Sequence, residues 1–464
     1  MPLLKKTMFR EYDIRGLETY DELNDLSMYF IGRGFGTYLK HLNITKAVVG
    51  CDARATSESF KKSTIKGLGE CGINVIDIGT VTTPMSYWAQ YFLKVKGLVC
   101  VTASHNPAGW NGVKLGTNLS STLLSPELQD LYAIIVKEQF SSGQGNIQKK
   151  DIADTYIKDL ISKATITKKF KILVNTGNGT AGLYIPKLLK LTGCEVVEHF
   201  TNIDPSYPNY TPNPDGTAMM EDTGRQTVKN NCDLGFAFDG DGDRLGVVDE
   251  NGNIIWPDRY IILLSRLVLS KHKGAKIVFD VKVSEAVPED IKAHGGIPIM
   301  WKTGHSYIKS KLAKERAAMA GEMSGHIFFV DDFYGFDDAA FAALKLLEYL
   351  SLQKKPLSQI ISTTPYYVST PTIQVTTTDE KKYDIVSKLT KEFKDEGYKV
   401  VDINGARVYT NDGWGLVRAS SNTPTLVLRF EAKTQENLEK IKQLFKSKLD
   451  RFPNVNKNWD TSGR

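Results

Sequence analysis

Cysteine is scarce: five residues in a chain of 464, with no Cys-x-x-Cys pair among them. An odd number at wide spacing argues against a disulfide framework and against a cysteine-based zinc site. Cys51, Cys71, Cys100, Cys194 and Cys232 are expected to be small buried residues, most of them in strands. No apolar run of about 18 residues occurs, so no membrane span and no membrane partner are expected. The opening stretch MPLLKKTMFREYDIRG has no apolar signal-peptide core and soon turns charged, which makes the cytoplasm the expected compartment. Charge of one sign is also scarce. The 59 basic and 53 acidic residues leave a net charge of +6, mixed along the chain. No dense basic run with interleaved aromatics appears, so nucleic acid is not an expected partner. A few basic residues can instead gather at an anionic small-molecule site.

What is present is an ordinary soluble composition, 41% hydrophobic and 24% charged. Three segments share one pattern: KAVVGCDARATSESF (46–60), FKILVNTGNGTAGLYIPKLL (170–189) and AKIVFDVKVSEAVPEDI (275–291). Each passes from a short, partly β-branched apolar stretch through a polar turn into a helix-like stretch, the strand–turn–helix order of α/β units. Residues 151–165 predict an amphipathic helix between the first two domains, and DENGN (249–253) predicts a hairpin turn. Beyond residue 371 the order becomes strand, helix (KKYDIVSKLTKEFKDEGY), hairpin (VVDINGARVYT), strand (TLVLRFEA) and helix (ENLEKIKQLFKSKLD). The expected fold class is α/β. Three similar mixed α/β domains (1–150, 151–251, 252–366) are followed by a smaller α+β domain (367–464).

Four loops carry candidate chemistry. In TASHNPAGWNGVKL (102–115), Ser104 stands beside His105, with Lys114 ten residues on. Neighbouring side chains in an extended chain point to opposite faces, and no Gly-x-Ser-x-Gly elbow is present, so a hydrolase triad is not supported. Ser-His-Asn-Pro alone also reads as a plain turn after a strand. In FAFDGDGDRLGVVDENG (236–252), glycines separate Asp239, Asp241 and Asp243, which lets three carboxylates converge. Hard oxygen donors in that arrangement suit Mg²⁺ or Ca²⁺; the alternative is a solvated acidic turn. An EF-hand is rejected because Arg244 stands where that loop needs glycine and the flanks read as strands. Arg244 beside the acids suggests that an anion also comes close.

In GEMSGHIFF (321–329), Glu322, Ser324 and His326 alternate, so an extended loop would turn all three to one face. Such a face can bind neighbouring sugar hydroxyls, or can simply be a half-buried strand edge. In GLVRASSNTPTLVLRFEA (415–432), Arg418 precedes Ser420, Ser421, Asn422 and Thr423, either a phosphate cradle or an ordinary turn. Arg429 reads as structural. His305, in WKTGHS (301–306), reads more readily as a structural histidine than as a ligand.

Taken in order along the chain, Ser-His-Asn-Pro, DGDGDR, GEMSGH and an Arg-Ser-rich loop resemble the α-D-phosphohexomutase superfamily, closest to its bacterial phosphomannomutase/phosphoglucomutase group. The resemblance runs from FREYDIRG (9–16) to RFEA (429–432). It implies four domains around a central cleft and a phosphoserine at Ser104. It implies Mg²⁺ held by Asp239, Asp241 and Asp243, with a phosphoserine oxygen completing the site. Glu322, Ser324 and His326 would bind sugar hydroxyls. Arg418, Ser420, Ser421 and Asn422 would hold the non-reacting phosphate. Arg15, Lys114, His305 and Lys282 would line the reaction site, with Tyr12 and Arg244 among the substrate-binding residues.

The implied reaction moves a phosphoryl group between the 1- and 6-positions of mannose or glucose phosphates, with glucose 1,6-bisphosphate as activator and intermediate. A monomer is expected. One departure stands out: the superfamily loop usually reads Arg-x-Ser-Asn-Thr, whereas here Ser421 stands where Asn is usual and Asn422 where Thr is usual. Charge fits the implied roles. A serine phosphate of about −1.5 to −2 beside three aspartates needs basic neighbours, and Arg15, Lys114 and Arg244 are the candidates. The alternatives are a phosphoglucosamine mutase, a sugar-phosphate phosphatase and a non-catalytic sensor.

Overall fold

The apolar run GLVCV forms the strand Gly97–Val101, buried along its whole length. In this computed structural model, which describes residues 4–421 and 423–459, that strand lies inside a mixed sheet. The sheet order is Ile14–Leu17, Trp110–Asn118, Gly97–Val101, Lys46–Cys51, Asn74–Thr80, Ile147–Lys149. Lys46–Cys51 pairs in parallel with Gly97–Val101 and with Asn74–Thr80. A parallel strand covered on both faces needs apolar residues throughout, which is why the run does not alternate. Val99 and Val101 are fully buried, and each such side chain contributes about 1.5–3 kcal/mol. Trp110–Asn118 returns antiparallel and sets Lys114 opposite Cys100. Ile14–Leu17 adds to it antiparallel, with Arg15 opposite Gly112.

Two helices against this sheet, Asp25–His41 and Ser57–Glu70, pack unusually close. A Cβ on Gly32 would sit 2.4 Å from Thr64 O, and one on Gly67 would sit 2.3 Å from Tyr29 O. The first helix starts at Asn24, whose side chain accepts from Leu26 N and Ser27 N while Ser27 Oγ caps Asn24 N, a reciprocal capping box.

The second sheet has the order Ile254–Ile255, Leu245–Asp249, Leu234–Phe238, Lys171–Asn175, Glu195–His199. Leu234–Phe238 is parallel to Lys171–Asn175, and Leu245–Asp249 returns antiparallel, closing with Phe238 opposite Leu245. The acidic turn sits between those two strands. The expected helix at 151–165 forms as Ala153–Ser162, and the expected DENGN turn joins two antiparallel strands.

The described residues fall into two compact units. One runs through Pro257 and includes Ser324–Gln359; the other is Asp258–Met323 with the chain from Ile360 onward. In the second unit, Ile297–Trp301 and Met319–Gly321 flank Lys276–Asp280 in parallel. Its C-terminal sheet is antiparallel, in the order Val368–Ser369, Thr425–Ala432, Gly413–Ala419, Ala406–Tyr409, Lys399–Val401, with Ile373–Thr376 also on Thr425–Ala432. Helices Lys382–Asp395 and Gln435–Leu449 bury Leu389, Phe393, Leu438, Ile441 and Phe445 with Leu426, Leu428 and Phe430 of this sheet. The architecture is therefore three mixed α/β domains and a smaller α+β domain. No helix among the described residues is long and apolar enough to cross a membrane.

Three local expectations need correction. All five cysteines are buried, but only Cys51 and Cys100 lie in strands; Cys194 and Cys232 turn inward from segments whose neighbouring residues are exposed. Residues 323–325 form a turn, because Gly325 takes φ +92°, so Glu322, Ser324 and His326 do not share an extended face. Ser104 and His105 do not point apart: Ser104 takes φ +50°, and its Oγ lies 3.2 Å from His105 Nδ1.

Candidate active site

Both key loops of the first unit follow a buried parallel strand and precede an antiparallel return. That is where an α/β sheet exposes backbone and side chains at its carboxyl edge. Ser104 follows Gly97–Val101 after two residues, and Asp239 directly follows Leu234–Phe238. Ser104 Oγ donates to Asp239 Oδ2 at 3.0 Å. Close backbone approach makes this contact possible: a Cβ on Gly240 would stand 2.5 Å from Ser104 O.

Asp239, Asp241 and Asp243 are wholly buried. Asp239 Oδ1 accepts from the backbone N–H groups of Asp243 and Arg244 at 3.0 and 3.1 Å, which folds the turn around it. Lys114 Nζ lies 3.1 Å from Asp241 Oδ2 and 2.6 Å from Asp243 Oδ2. Thr83 Oγ1 and Thr102 Oγ1 donate to Asp241 Oδ2 at 2.5 and 3.2 Å. Burial alone would strip charge from Lys114, but Asp241 and Asp243 hold its pKa well above the ordinary lysine value. With both carboxylates beside it, Lys114 is held as an ammonium in this arrangement. Burial also pushes the Asp243 carboxyl up, yet Lys114 and His326 keep it low; Asp241 is kept low against burial and Asp243 by Lys114, Thr83 and Arg15. Asp239 has no such ammonium of its own. Burial first, then Asp243 and Asp241, raise its pKa well above the usual carboxylate range.

The acidic cluster fits a divalent cation. Asp241 Oδ1 and Asp243 Oδ1 are buried with no hydrogen-bond partner among the described residues. One oxygen from each of the three aspartates lies within 4.8 Å of the others. Three hard oxygen donors with spare lone pairs match Mg²⁺ chemistry.

His326 lies in the same unit. Arg244 Nε donates to His326 Nε2 at 3.1 Å, while His326 Nδ1 lies 2.9 Å from Asp337 Oδ2 and 3.5 Å from Asp243 Oδ1. Nε2 accepts from Arg244, so Nδ1 is the ring nitrogen that faces the two carboxylates. Arg15 Nε pairs with Asp13 Oδ2 at 2.8 Å, and the Asp241 charge also reaches it. Tyr12 is half-buried and couples electrostatically to Arg15 and Arg244. Ser324 is half-buried in the turn before His326.

The second unit holds the other candidates. His305 opens the helix His305–Glu315 and is buried. Glu322 Oε1 accepts from Gly304 N at 2.6 Å at the start of that helix, where a carboxylate offsets the positive helix end. Lys282 Nζ lies 3.6 Å from Asp280 Oδ2. Asp280 also accepts from Thr303 Oγ1 at 2.8 Å and from Met323 N at 3.2 Å. Arg418 is the penultimate residue of the strand Gly413–Ala419 and donates to Ser421 Oγ at 3.3 Å. Ser420 Oγ accepts from Thr423 N at 3.2 Å and from Thr423 Oγ1 at 2.9 Å. Asn422 lies outside the described residues. Arg429 is structural, as expected: it pairs with Asp258 Oδ2 at 2.7 Å and is 2% exposed.

Sequence reasoning missed Thr83, Thr102, Asp337 and Asp280. Thr102 follows a strand and Thr83 opens the helix Thr83–Leu93, both places where threonine is ordinary. The one available hint for Asp337 is its place beside Asp338, which caps the helix Ala339–Ser351.

The four described domains match four family models. These are phosphoglucomutase/phosphomannomutase alpha/beta/alpha domains I (6–142), II (154–252) and III (256–367), and the C-terminal domain (373–448). A phosphomannomutase/phosphoglucomutase of Pseudomonas syringae pv. tomato is 41% identical over 97% of this chain and 96% of that protein. A phosphoglucomutase of Neisseria meningitidis serogroup A is 38% identical over 98% of this chain and 99% of that one. The crystal structure of a phosphoglucomutase/phosphomannomutase family protein from Burkholderia thailandensis superposes with a TM-score of 0.91 at 38% identity, covering 98% of this chain and 99% of that one. On sequence, fold and domain order, the chain belongs to the phosphoglucomutase/phosphomannomutase family.

Proposed function

We propose that the protein is a phosphohexomutase that interconverts hexose 1-phosphates and hexose 6-phosphates of glucose and mannose. The observation that carries this reading is the buried contact of Ser104 Oγ with Asp239 in a triad that also binds Lys114. Ser104 carries the phosphoryl group. In the first half, the 6-hydroxyl of a hexose 1-phosphate attacks phosphorus; the P–O6 bond forms, the P–Oγ bond of Ser104 breaks, and the hydroxyl proton ends on Ser104 Oγ. The 1,6-bisphosphate then turns end for end. In the second half, Ser104 Oγ attacks the phosphorus on O1; the P–Oγ bond forms, the P–O1 bond breaks, and the serine proton ends on O1. Hexose 6-phosphate leaves and the phosphoserine is restored.

Each residue has a role in this reading. Mg²⁺ held by Asp239, Asp241 and Asp243 would offset negative charge on the phosphoryl oxygens. Lys114, Arg15 and Arg244 bind and neutralise the group in flight, where positioning and charge supply most of the catalysis. His326 moves the hydroxyl proton once Arg244 turns to the phosphate and frees Nε2. Glu322, Ser324 and His326 orient sugar hydroxyls at positions 3 and 4, which glucose and mannose share. Arg418, Ser420, Ser421 and Asn422 hold the phosphate that is not reacting, and His305, Lys282 and Tyr12 contact the substrate. Every group named comes from one chain, so this reading needs no second copy, and it includes a monomer in the cytoplasm.

Initial rates with glucose 1-phosphate, mannose 1-phosphate and glucosamine 1-phosphate, with Mg²⁺ and a trace of glucose 1,6-bisphosphate, test this reading. Isomerisation of both hexoses is expected. Preference for the glucosamine phosphate moves the protein to the sister activity, and release of free phosphate without isomerisation overturns the mutase reading.

A further inference from the structure

Arg54 belongs to the turn after the strand Lys46–Cys51 and is 5% exposed. Its guanidinium binds no side chain of the aspartate triad. It binds the backbone of the serine loop instead. Nη2 donates to Ser104 O at 2.8 Å and to Asn106 O at 2.6 Å. Nη1 donates to Pro107 O at 2.9 Å and to Trp110 O at 3.1 Å. Four carbonyls from seven consecutive residues therefore converge on one planar cation. Asp52 fixes that cation: its Oδ2 lies 3.2 Å from Arg54 Nε. Asp52 is itself held by Ser57 Oγ and by Arg54 N, both donating to Oδ1 at 2.5 and 3.1 Å. The Tyr207 ring covers the guanidinium at 5.3 Å.

The loop needs such an anchor. Ser104 takes φ +50°, a left-handed conformation that costs any residue with a Cβ and persists only where surroundings over-determine it. The carbonyl that Arg54 holds belongs to that residue, and the side chain on the same Cα reaches Asp239. Rotating the Ser104 backbone to relieve the strain would release both contacts together. In a phosphotransferase the loop must also hold its shape when about −1.5 to −2 of charge is added to Ser104 and removed again in each cycle.

We propose that Arg54 is the positioning residue of the serine loop: it locks residues 104–110 in the backbone conformation that presents Ser104 Oγ to the aspartates, without touching the substrate. The role rests on the mutase reading above. A lysine cannot replace it, because an ammonium lacks the planar fork that serves four acceptors at once.

The test compares wild type with Arg54→Lys and Arg54→Ala, with Ile31→Ala as a core control that lowers stability away from the loop. The first readout is amide hydrogen exchange of residues 104–110 in the intact protein, which does not depend on activity. Arg54→Lys is expected to exchange there about tenfold faster while the sheet core is unchanged. The second readout is steady-state kinetics: kcat falls about 100-fold while KM for glucose 1-phosphate stays within about threefold. Guanidinium chloride at millimolar concentration restores part of the Arg54→Ala rate, and urea does not. Unchanged exchange in the loop overturns the proposal, as does a kcat loss in Ile31→Ala equal to that in Arg54→Lys. Wild type that isomerises no hexose phosphate defeats the mutase reading alone, and the exchange measurement then still decides whether Arg54 holds the loop.

Discussion

Ser104 Oγ lies 3.0 Å from Asp239 Oδ2, across 135 residues of chain. The contact joins the turn after the central strand of one sheet to the turn after the central strand of the next. It places a hydroxyl at a triad of buried carboxylates whose charge one lysine only partly offsets. Ser104→Ala removes the oxygen and leaves the triad intact. Its turnover falls by at least about a thousandfold, while calorimetric affinity for glucose 1-phosphate stays within about threefold. Full activity in this variant would refute the role of Ser104.

Lys114 and a divalent cation compete for the charge of the same two carboxylates. The ammonium holds the Oδ2 atoms of Asp241 and Asp243 at 3.1 and 2.6 Å, and a Mg²⁺ on the Oδ1 atoms, which have no hydrogen-bond partner among the described residues, would add a second positive charge beside it. Lys114→Met removes the competitor. Titration calorimetry should show tighter Mg²⁺ binding than in wild type, and turnover should fall by at least about 100-fold because the phosphoryl group loses a fixed cation. Chelation with EDTA abolishes activity in wild type, and added Mg²⁺ restores it. Weaker Mg²⁺ binding in Lys114→Met would contradict the competition.

Asp338 gives the fold a pH dependence. Burial, opposed by hydrogen bonds from Phe341 N and Tyr156 and reinforced by Asp337, raises its pKa from 3.8 to about 7. A carboxyl whose folded pKa stands above its unfolded value binds its proton more tightly when folded. Its contribution is fully present below about pH 4 and is lost as pH rises to about 7. Asp338→Asn keeps an acceptor for the N-terminus of Ala339–Ser351 and cannot ionise. In urea unfolding, the variant should gain on wild type between pH 5 and pH 8 by on the order of 2 kcal/mol. An equal difference at both pH values would place the charge elsewhere.

Arg429 and Asp258 form a buried ion pair at 2.7 Å, with Arg429 Nη1 also donating to Lys282 O at 2.5 Å. Arg429→Met strands a buried carboxylate and should destabilise the second unit by about 3–5 kcal/mol. Exchanging the pair together, Arg429→Met with Asp258→Leu, should recover most of that loss. Differential unfolding followed at Trp414, which is buried in that unit, measures both.

The strands that carry the two main loops were legible because parallel core strands are apolar on both faces and end abruptly in Gly, Ser and Asp. The acidic turn was legible for a related reason: two glycines between three aspartates leave few other uses. The partners were not. Lys114 meets its aspartates across 127 and 129 residues, and nothing local marks that pairing. Arg54 was overlooked because its four acceptors are backbone carbonyls, which have no sequence. The alternation of Glu322, Ser324 and His326 misled, since Gly325 at φ +92° turns the chain where an extended strand was expected. The Ser104–His105 contact was missed for the same kind of reason: a left-handed serine breaks the rule that neighbours point apart.

The most direct test follows the phosphoryl group itself. The protein is labelled with radioactive glucose 1,6-bisphosphate, freed of small molecules, and mapped by peptide mass spectrometry. It is then mixed with unlabelled glucose 1-phosphate for a single turnover. The label should sit on Ser104 before mixing and appear in glucose 1,6-bisphosphate and glucose 6-phosphate afterwards. Label on another residue, or label released only as free phosphate, would contradict the account.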